Sequence, residues 1–527
     1  MVKLCKGTMG QARNISRSGI QRLKGTEPES GMRLAIILAL FIAVMASFWP
    51  ALEAGFIYDD RFFVVENQAI RDIRNIAEYF TSPQTTTASV PWNPIWRPLR
   101  NLSYAIDYQF WGLRPIGFHL TNLWLHWLNG ILFFLIARRF FSDSRSCLLA
   151  AGFFILHPAQ VETVAWVSGR DDLLMALFIL GSWRLRMEHQ ASGKKVFLIL
   201  ALLSFTLALF SKETAAAMPL ALPLIDRGLA SNKEIEPSVR RLPEYLLWFA
   251  IAGIYFFIRL LTLGQLSHRQ FWGGSPISNF LTMLWVAAQY LRLVILPLWL
   301  RVDYVIPPVL GLMDWRWAIG LASLITTFLL AWRYRRLRWP LFAWLWFFIF
   351  LLPVANIVPI AAIMAERFLY IPLVAVALLL GYLGTRIRDR EKTVLAAGLF
   401  IILGGLSMKR GLEWREPGTF WRTEIKRSPG SAIAHNNLGH YFYRSGVLDS
   451  AEFYFLKAAA LNPNLAIARA CLGDVYYHRG DYEKALEQYE AYLKICPRAP
   501  NRSQTEQRMR RIREKMASGR TGDVIAQ

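Results

Sequence analysis

Nineteen residues from Leu34 to Leu52 carry no charge, close to the ~20 a helix needs to cross a hydrocarbon core. Apolar runs recur down the chain, separated by short clusters of Arg and Lys. In lipid a backbone must satisfy its own hydrogen bonds, which confines such a chain to membrane helices. Hydrophobic residues make up 54% of the 527 and charged residues only 18%, as in a polytopic membrane protein. A net charge of +23 would suggest nucleic acid in a soluble protein. Here the basic residues lie between apolar runs, where cytoplasmic loops facing anionic lipid account for them, and no nucleic-acid partner is expected.

Met1 to Arg33 is basic and polar, and the first apolar run comes too late and too long for the core of a cleavable signal. Residues 1–33 are expected to be a cytoplasmic tail and the run a permanent anchor. The segment from about 53 to 116 is then a large outer loop, with a surface helix expected over Asn67 to Phe80. A return helix over Phe118 to Ala137 ends in Arg138-Arg139. Basic clusters at Arg184 to Lys195, Arg240-Arg241, Arg333 to Arg338 and Arg386 to Lys392 mark further inner loops. Between Arg241 and Arg333 lie three apolar runs, where an even number of crossings is required. One of the three must be re-entrant, interfacial or split. The expected fold is all-α, with a membrane domain over 34–408 of about 11 or 13 spans.

From residue 411 the composition turns polar. Leu438-Gly439 recurs as Leu472-Gly473, Ala451 as Ala485, Phe455 as Tyr489 and Pro463 as Pro497, each 34 residues on. This is the tetratricopeptide period, expected as repeats over 432–465 and 466–499 in an extracytoplasmic domain spanning 411–527. Such arrays offer a concave groove to peptides or proteins and carry no chemistry of their own. Of the four cysteines, only Cys471 and Cys496 share a domain, and nothing requires them to pair; Cys5 and Cys147 lie in the tail and a membrane segment.

The topology gathers five polar clusters on one side: Asp59-Asp60, His119 with Asn122 and His126, Glu162 through Asp172, Lys212-Glu213, and Glu366-Arg367. Each has a structural reading, as a helix cap or an internal ion pair. No cluster has metal-ligand spacing. Gathered at one membrane depth, charged groups of both signs mark a substrate site. A carboxylate accepts the proton of an attacking hydroxyl, while Arg and Lys neutralise a phosphate leaving group. The chemistry that fits is transfer from a lipid-linked phosphate.

Five motifs occur in order before the repeats: Tyr58-Asp59-Asp60; WRPLRNLSYAIDYQFWGLRPIGFHLTNLWLH from Trp96; HPAQVETVAWVSGRDDLL from His157; SKET from Ser211; and AERFLYIP from Ala365. With these the chain resembles the transmembrane and tetratricopeptide-repeat O-mannosyltransferases and their bacterial relatives, within the GT-C glycosyltransferases. The resemblance implies a multi-span enzyme using a polyprenyl- or dolichyl-phosphate sugar, with mannose as the candidate. It implies a catalytic base in the first outer loop, matched by Asp59 and Asp60 with Asp59 slightly favoured. It also implies basic residues facing the donor phosphate. The site expected from residues and resemblance together has Arg170, Lys212, Arg367 and His119 on the donor phosphate, Glu162, Asp172, Glu213 and Glu366 in support, and no metal. The expected partners are the lipid-linked donor and a protein or peptide acceptor held by the repeats. The expected location is a bacterial inner membrane, or the endoplasmic reticulum in a eukaryote. A non-catalytic scaffold and a lipid-linked sugar transporter are the alternatives; polar groups at span ends rather than mid-span favour the enzyme.

Overall fold

The computed structural model describes residues 30–87, 95–229, 241–264, 270–497, 499 and 501–525. The basic tail up to residue 29, with Cys5, lies outside them, as does Arg240. Every regular element among the described residues is helical. Five helices are long and apolar enough to cross a membrane: Leu34–Glu53, Pro115–Phe140, Leu242–Leu263, Trp315–Arg333 and Asp389–Trp414. Ser144–Leu156 joined to Pro158–Ala165 across a 48° bend makes a sixth, and Lys195–Ser211, Trp339–Val354 and Pro372–Gly384 are shorter apolar helices. The chain is therefore a multi-pass membrane protein. Among the described residues these helices make up the expected all-helical, multi-span membrane domain. Several expected runs are short, one is bent, and the Arg170–Ser192 helix begins on Arg170-Asp171-Asp172 and carries Arg184, Arg186 and Glu188 near its end.

The expected helix over Asn67 to Phe80 is broken. Two single 3-10 turns, Ala69–Arg71 and Ile73–Asn75, precede a short helix at Ile76–Thr81. Asp72 interrupts it by leaving the helical region and accepting a hydrogen bond from the Arg74 amide, a local bond that competes with helix continuation.

The odd run between Arg241 and Arg333 is the Pro276–Ile295 helix. Near its start Asn279 donates to the Asn356 carbonyl at 3.1 Å, and near its end the Val294 carbonyl lies 3.2 Å from His157 Nε2. Both partners belong to turns at the same end of the bundle, so this helix lies along that end. An extended strap, residues 300–309, returns beside it until Ser278 donates to the Val309 carbonyl at 2.7 Å. Leu242–Leu263 and Trp315–Arg333 are then the two crossing helices, and the even count is met.

The opposite end is closed by ion pairs. Arg186 bonds Asp226 at 2.6 and 2.8 Å and Glu244 at 2.5 Å, and Lys392 pairs with Asp143. The repeats form two helical hairpins, Ala432–Arg444 with Leu448–Leu461 and Ala466–Arg479 with Tyr482–Ile495. A Cβ on Gly439 would lie 2.8 Å from the Phe455 ring, and one on Gly473 2.6 Å from Tyr489, so glycine there permits the close hairpin contact. Cys147 and Cys471 are free thiols. The preceding Pro417–Arg427 helix joins the array to the membrane helices through Phe420, whose ring centroid is 4.4 Å from that of Trp414.

Candidate active site

The first loop leaves the membrane helix through a strained turn. Tyr58 holds φ 59°, a left-handed conformation uncommon for a residue of its bulk. Its ring stacks on Trp166 at 5.6 Å and meets the edge of Trp421 from the repeat side at the same distance. Residues kept in such conformations are held by their surroundings, and they cluster at functional sites.

Asp59 and Asp60 then part company. Asp60 is buried and accepts three hydrogen bonds, from the Ile57 amide at 3.1 Å, the Ser168 amide at 2.9 Å and the Ser168 hydroxyl at 2.5 Å. It ties the first loop to the turn before Arg170. Asp59 is half-buried, and among the described residues its carboxylate takes no hydrogen bond and no ion pair. Burial raises its pKa to about 6, with Arg367 and Arg100 opposing the shift. A carboxylate left free beside two guanidinium groups is equipped to accept a proton.

The expected charged clusters do meet at this end. Arg367 pairs with Glu162, which also takes the Arg367 amide at 3.0 Å, and the guanidinium lies 5.4 Å from the Trp166 ring. Lys212 bonds Asp172 at 2.6 Å and reaches Asp171 at 3.6 Å. Asp172, Thr214, Phe350, Arg367, Phe368 and Pro372 help line a cavity of about 20 Å³, room for about one water.

Three expected site residues face elsewhere. Arg170 is fully buried and fully engaged, by Asp107, Asn122 at 2.8 Å and the Phe118 carbonyl at 2.6 Å. It locks the Pro98–Trp111 and Pro115–Phe140 helices together, so its guanidinium is already committed. His119 is buried against the backbone of Ala54 and Gly55. Glu366 accepts from Tyr304 at 2.9 Å and from the Arg301 amide, holding the strap; burial raises its pKa.

Two arginines carry weight that the motif reading left unassigned. Arg97 pairs with Asp171 and, at 2.8 Å, with Glu213, and Arg259 comes within 3.7 Å of Glu213. Arg100 is buried, lies 4.1 Å above the Phe63 ring and comes no nearer than 3.7 Å to Asp171, while its Nε and Nη2 have no hydrogen-bond partner. Their spacing in Trp96-Arg97-Pro98-Leu99-Arg100 held the available signal. Pro98 opens a helix, so Arg97 sits at its start and Arg100 in its first turn. Among the described residues no three His, Cys, Asp or Glu side chains are grouped to hold a metal.

A tetratricopeptide-repeat model matches residues 436–500. Protein O-mannosyl-transferase Tmtc1 of Drosophila melanogaster is 26% identical over 523 residues, covering 79% of this chain and 60% of that protein. Human protein O-mannosyl-transferase TMTC4 is 26% identical over 495 residues, covering 78% and 66%. The chain thus spans about 60% of the length of these relatives. Among solved structures, ArnT from Cupriavidus metallidurans bound to undecaprenyl phosphate aligns over 88% of this chain and 80% of its own, at 14% identity and a TM-score of 0.41. The chain is similar to the TMTC protein O-mannosyl-transferases over most of its length and matches the tetratricopeptide-repeat model near its C-terminal end.

Proposed function

We propose that this chain transfers a sugar, with mannose as the candidate, from a polyprenyl-phosphate donor to a protein hydroxyl on the extracytoplasmic side. Asp59 is the general base. It takes the proton of the acceptor hydroxyl as that oxygen attacks the anomeric carbon; the bond from that carbon to the phosphate oxygen breaks, and the phosphate leaves with the electron pair. Arg367 and Arg100 are the cations beside Asp59 available to the growing phosphate charge. Glu162 aims Arg367, Asp172 aims Lys212, and Glu213 with Asp171 aims Arg97. Arg170, Asp60 and His119 act as positioning residues, and the repeats hold the acceptor. The similarity to protein O-mannosyl-transferases supports the reaction class.

The observation that carries this reading is that Asp59 alone of the Asp59-Asp60 pair keeps a free carboxylate. Purified full-length protein given a polyprenyl-phosphate sugar and a hydroxyl-bearing peptide is the test. Asp59→Asn is expected to lower transfer by about 10²-fold or more while thermal unfolding is unchanged. Full activity in that variant sinks the base assignment, and no transfer by the wild type from any such donor sinks the reaction class.

A further inference from the structure

Outside the site, the Pro276–Ile295 and Trp315–Arg333 helices enclose a groove of about 490 Å³. They touch where a Cβ on Gly320 would come within 2.3 Å of the Leu284 carbonyl, and Trp285 meets Trp315 edge-on at 5.7 Å. Beyond that contact, Ala288, Leu291, Arg292 and Ile295 face Ile319, Ala322, Ser323 and Thr326. Each set recurs at three- and four-residue spacing, which places it on one face of its helix. The Ser323 and Thr327 hydroxyls are spent on their own helix, on the Ile319 and Ser323 carbonyls at 2.8 Å, so apart from Thr326 and Arg292 the walls are effectively apolar.

Arg292 stands alone as the charge in this groove. It is half-buried, its Nε donates to Gln289 at 3.0 Å, and among the described residues no carboxylate pairs with it. Its place near the helix C-terminus lets it offset the dipole there, but that leaves both terminal nitrogens without a partner. A cation between apolar walls in a membrane domain calls for an anion that brings its own hydrocarbon. The same helix presents Tyr290 to its other side, where the hydroxyl accepts from the Ala365 amide at 3.2 Å beside the Glu366-Arg367 turn. The groove and the candidate active site are therefore on opposite faces of one helix.

We infer that this groove binds an anionic glycerophospholipid of the surrounding membrane, with a chain between the two helices and the head-group phosphate on Arg292. It is a site separate from that of the sugar donor, and the lipid braces from behind the helix that supports the Ala365–Arg367 turn.

Native mass spectrometry of the purified full chain with phosphatidylglycerol and phosphatidylcholine of identical chains tests this. The wild type should retain phosphatidylglycerol about fivefold or more over phosphatidylcholine. Arg292→Gln should bring that ratio to about one, and Ala322→Trp, which fills the groove, should lower retention of both lipids. An unchanged preference in Arg292→Gln, or unchanged retention in Ala322→Trp, overturns the proposal. So does displacement of phosphatidylglycerol by polyprenyl phosphate, since the groove would then belong to the donor.

Discussion

Asp59 and Asp60 are neighbours with opposite demands on their oxygens, and sequence alone could not divide them. Both are acids after the same helix; what separates them is Ser168, more than a hundred residues on, which donates twice to Asp60. Asp60→Asn replaces an acceptor oxygen with a donor facing an amide or hydroxyl, so it should cost about 1–3 kcal/mol of stability. Thermal unfolding should then fall in Asp60→Asn and hold in Asp59→Asn, whereas transfer is expected to be lost in Asp59→Asn. The pH profile separates the roles again. The base proposed at Asp59 is active only when ionised, and the Asp59 pKa is raised to about 6, so transfer should fall as pH drops through about 6. Arg100 opposes that shift; removing a cation raises a carboxylate pKa. Arg100→Gln should therefore move the acid limb to higher pH, measured as the midpoint of rate against pH, and a midpoint that stays put would leave Arg100 a packing residue. The cation pattern was half legible. Lys212 and Arg367 pair with Asp172 and Glu162 in the cluster, whereas Arg170 looks identical in sequence but spends its guanidinium on Asp107, Asn122 and a carbonyl. Burial and partner choice decide such cases, and neither is written in a motif.

At the scale of elements, periodic and terminal signals transferred well. The return helix expected over Phe118 to Ala137 is Pro115–Phe140, and the repeat hairpins follow the recurring Gly, Ala and aromatic positions. Local competition was less legible. Asp72 breaks a helix that apolar spacing favoured, and the Pro276–Ile295 run is apolar enough to resemble a span while its two ends are held at one end of the bundle. Hydropathy reports what an element tolerates, and tertiary contacts decide how it lies. The repeat glycines allow a direct trial of the packing argument. Gly473→Leu would drive a side chain into Tyr489, where the Cβ alone falls 2.6 Å from the ring, and should cost about 1–3 kcal/mol or more. Gly480→Ala meets no atom within 4 Å but keeps φ +79°, so it should cost only the left-handed penalty of about 1–2 kcal/mol. Unfolding of the two variants, followed by tryptophan fluorescence, should rank them in that order.

The whole molecule is polarised along its bundle, and the polarity explains why the site and the repeats share an end. At one end Arg367, Lys212, Arg97 and Arg100 gather around carboxylates; at the other Arg186, Arg139 and Lys392 pair with Asp226, Glu188 and Asp143. The strap couples the first end to the repeats. Val302 donates to Glu424 at 2.9 Å, Ser431 to Asp303 at 2.5 Å, and Arg427 to the Leu300 carbonyl at 3.1 Å, while Glu366 grips the same strap from the membrane side. Trp421 against Tyr58 and His440 beside Arg61 bring the joining helix and the first repeat helix within two residues of Asp59 along the chain. An acceptor held by the repeats, as proposed above, would therefore meet the first loop without crossing the membrane. If the basic clusters at Arg333 to Arg338 and Arg386 to Lys392 stay cytoplasmic, this geometry requires the repeats and Asp59 to face the other compartment together. Single cysteines at Phe453, which is 62% exposed on the repeats, and at the exposed Arg335 report on the two sides. In sealed, oriented vesicles an impermeant maleimide should label the first only from the extracytoplasmic face and the second only from the cytoplasmic face. Labelling of both from one face would break the link between the positive loops and the polarity of the bundle, and with it the assignment of the reaction to the extracytoplasmic side.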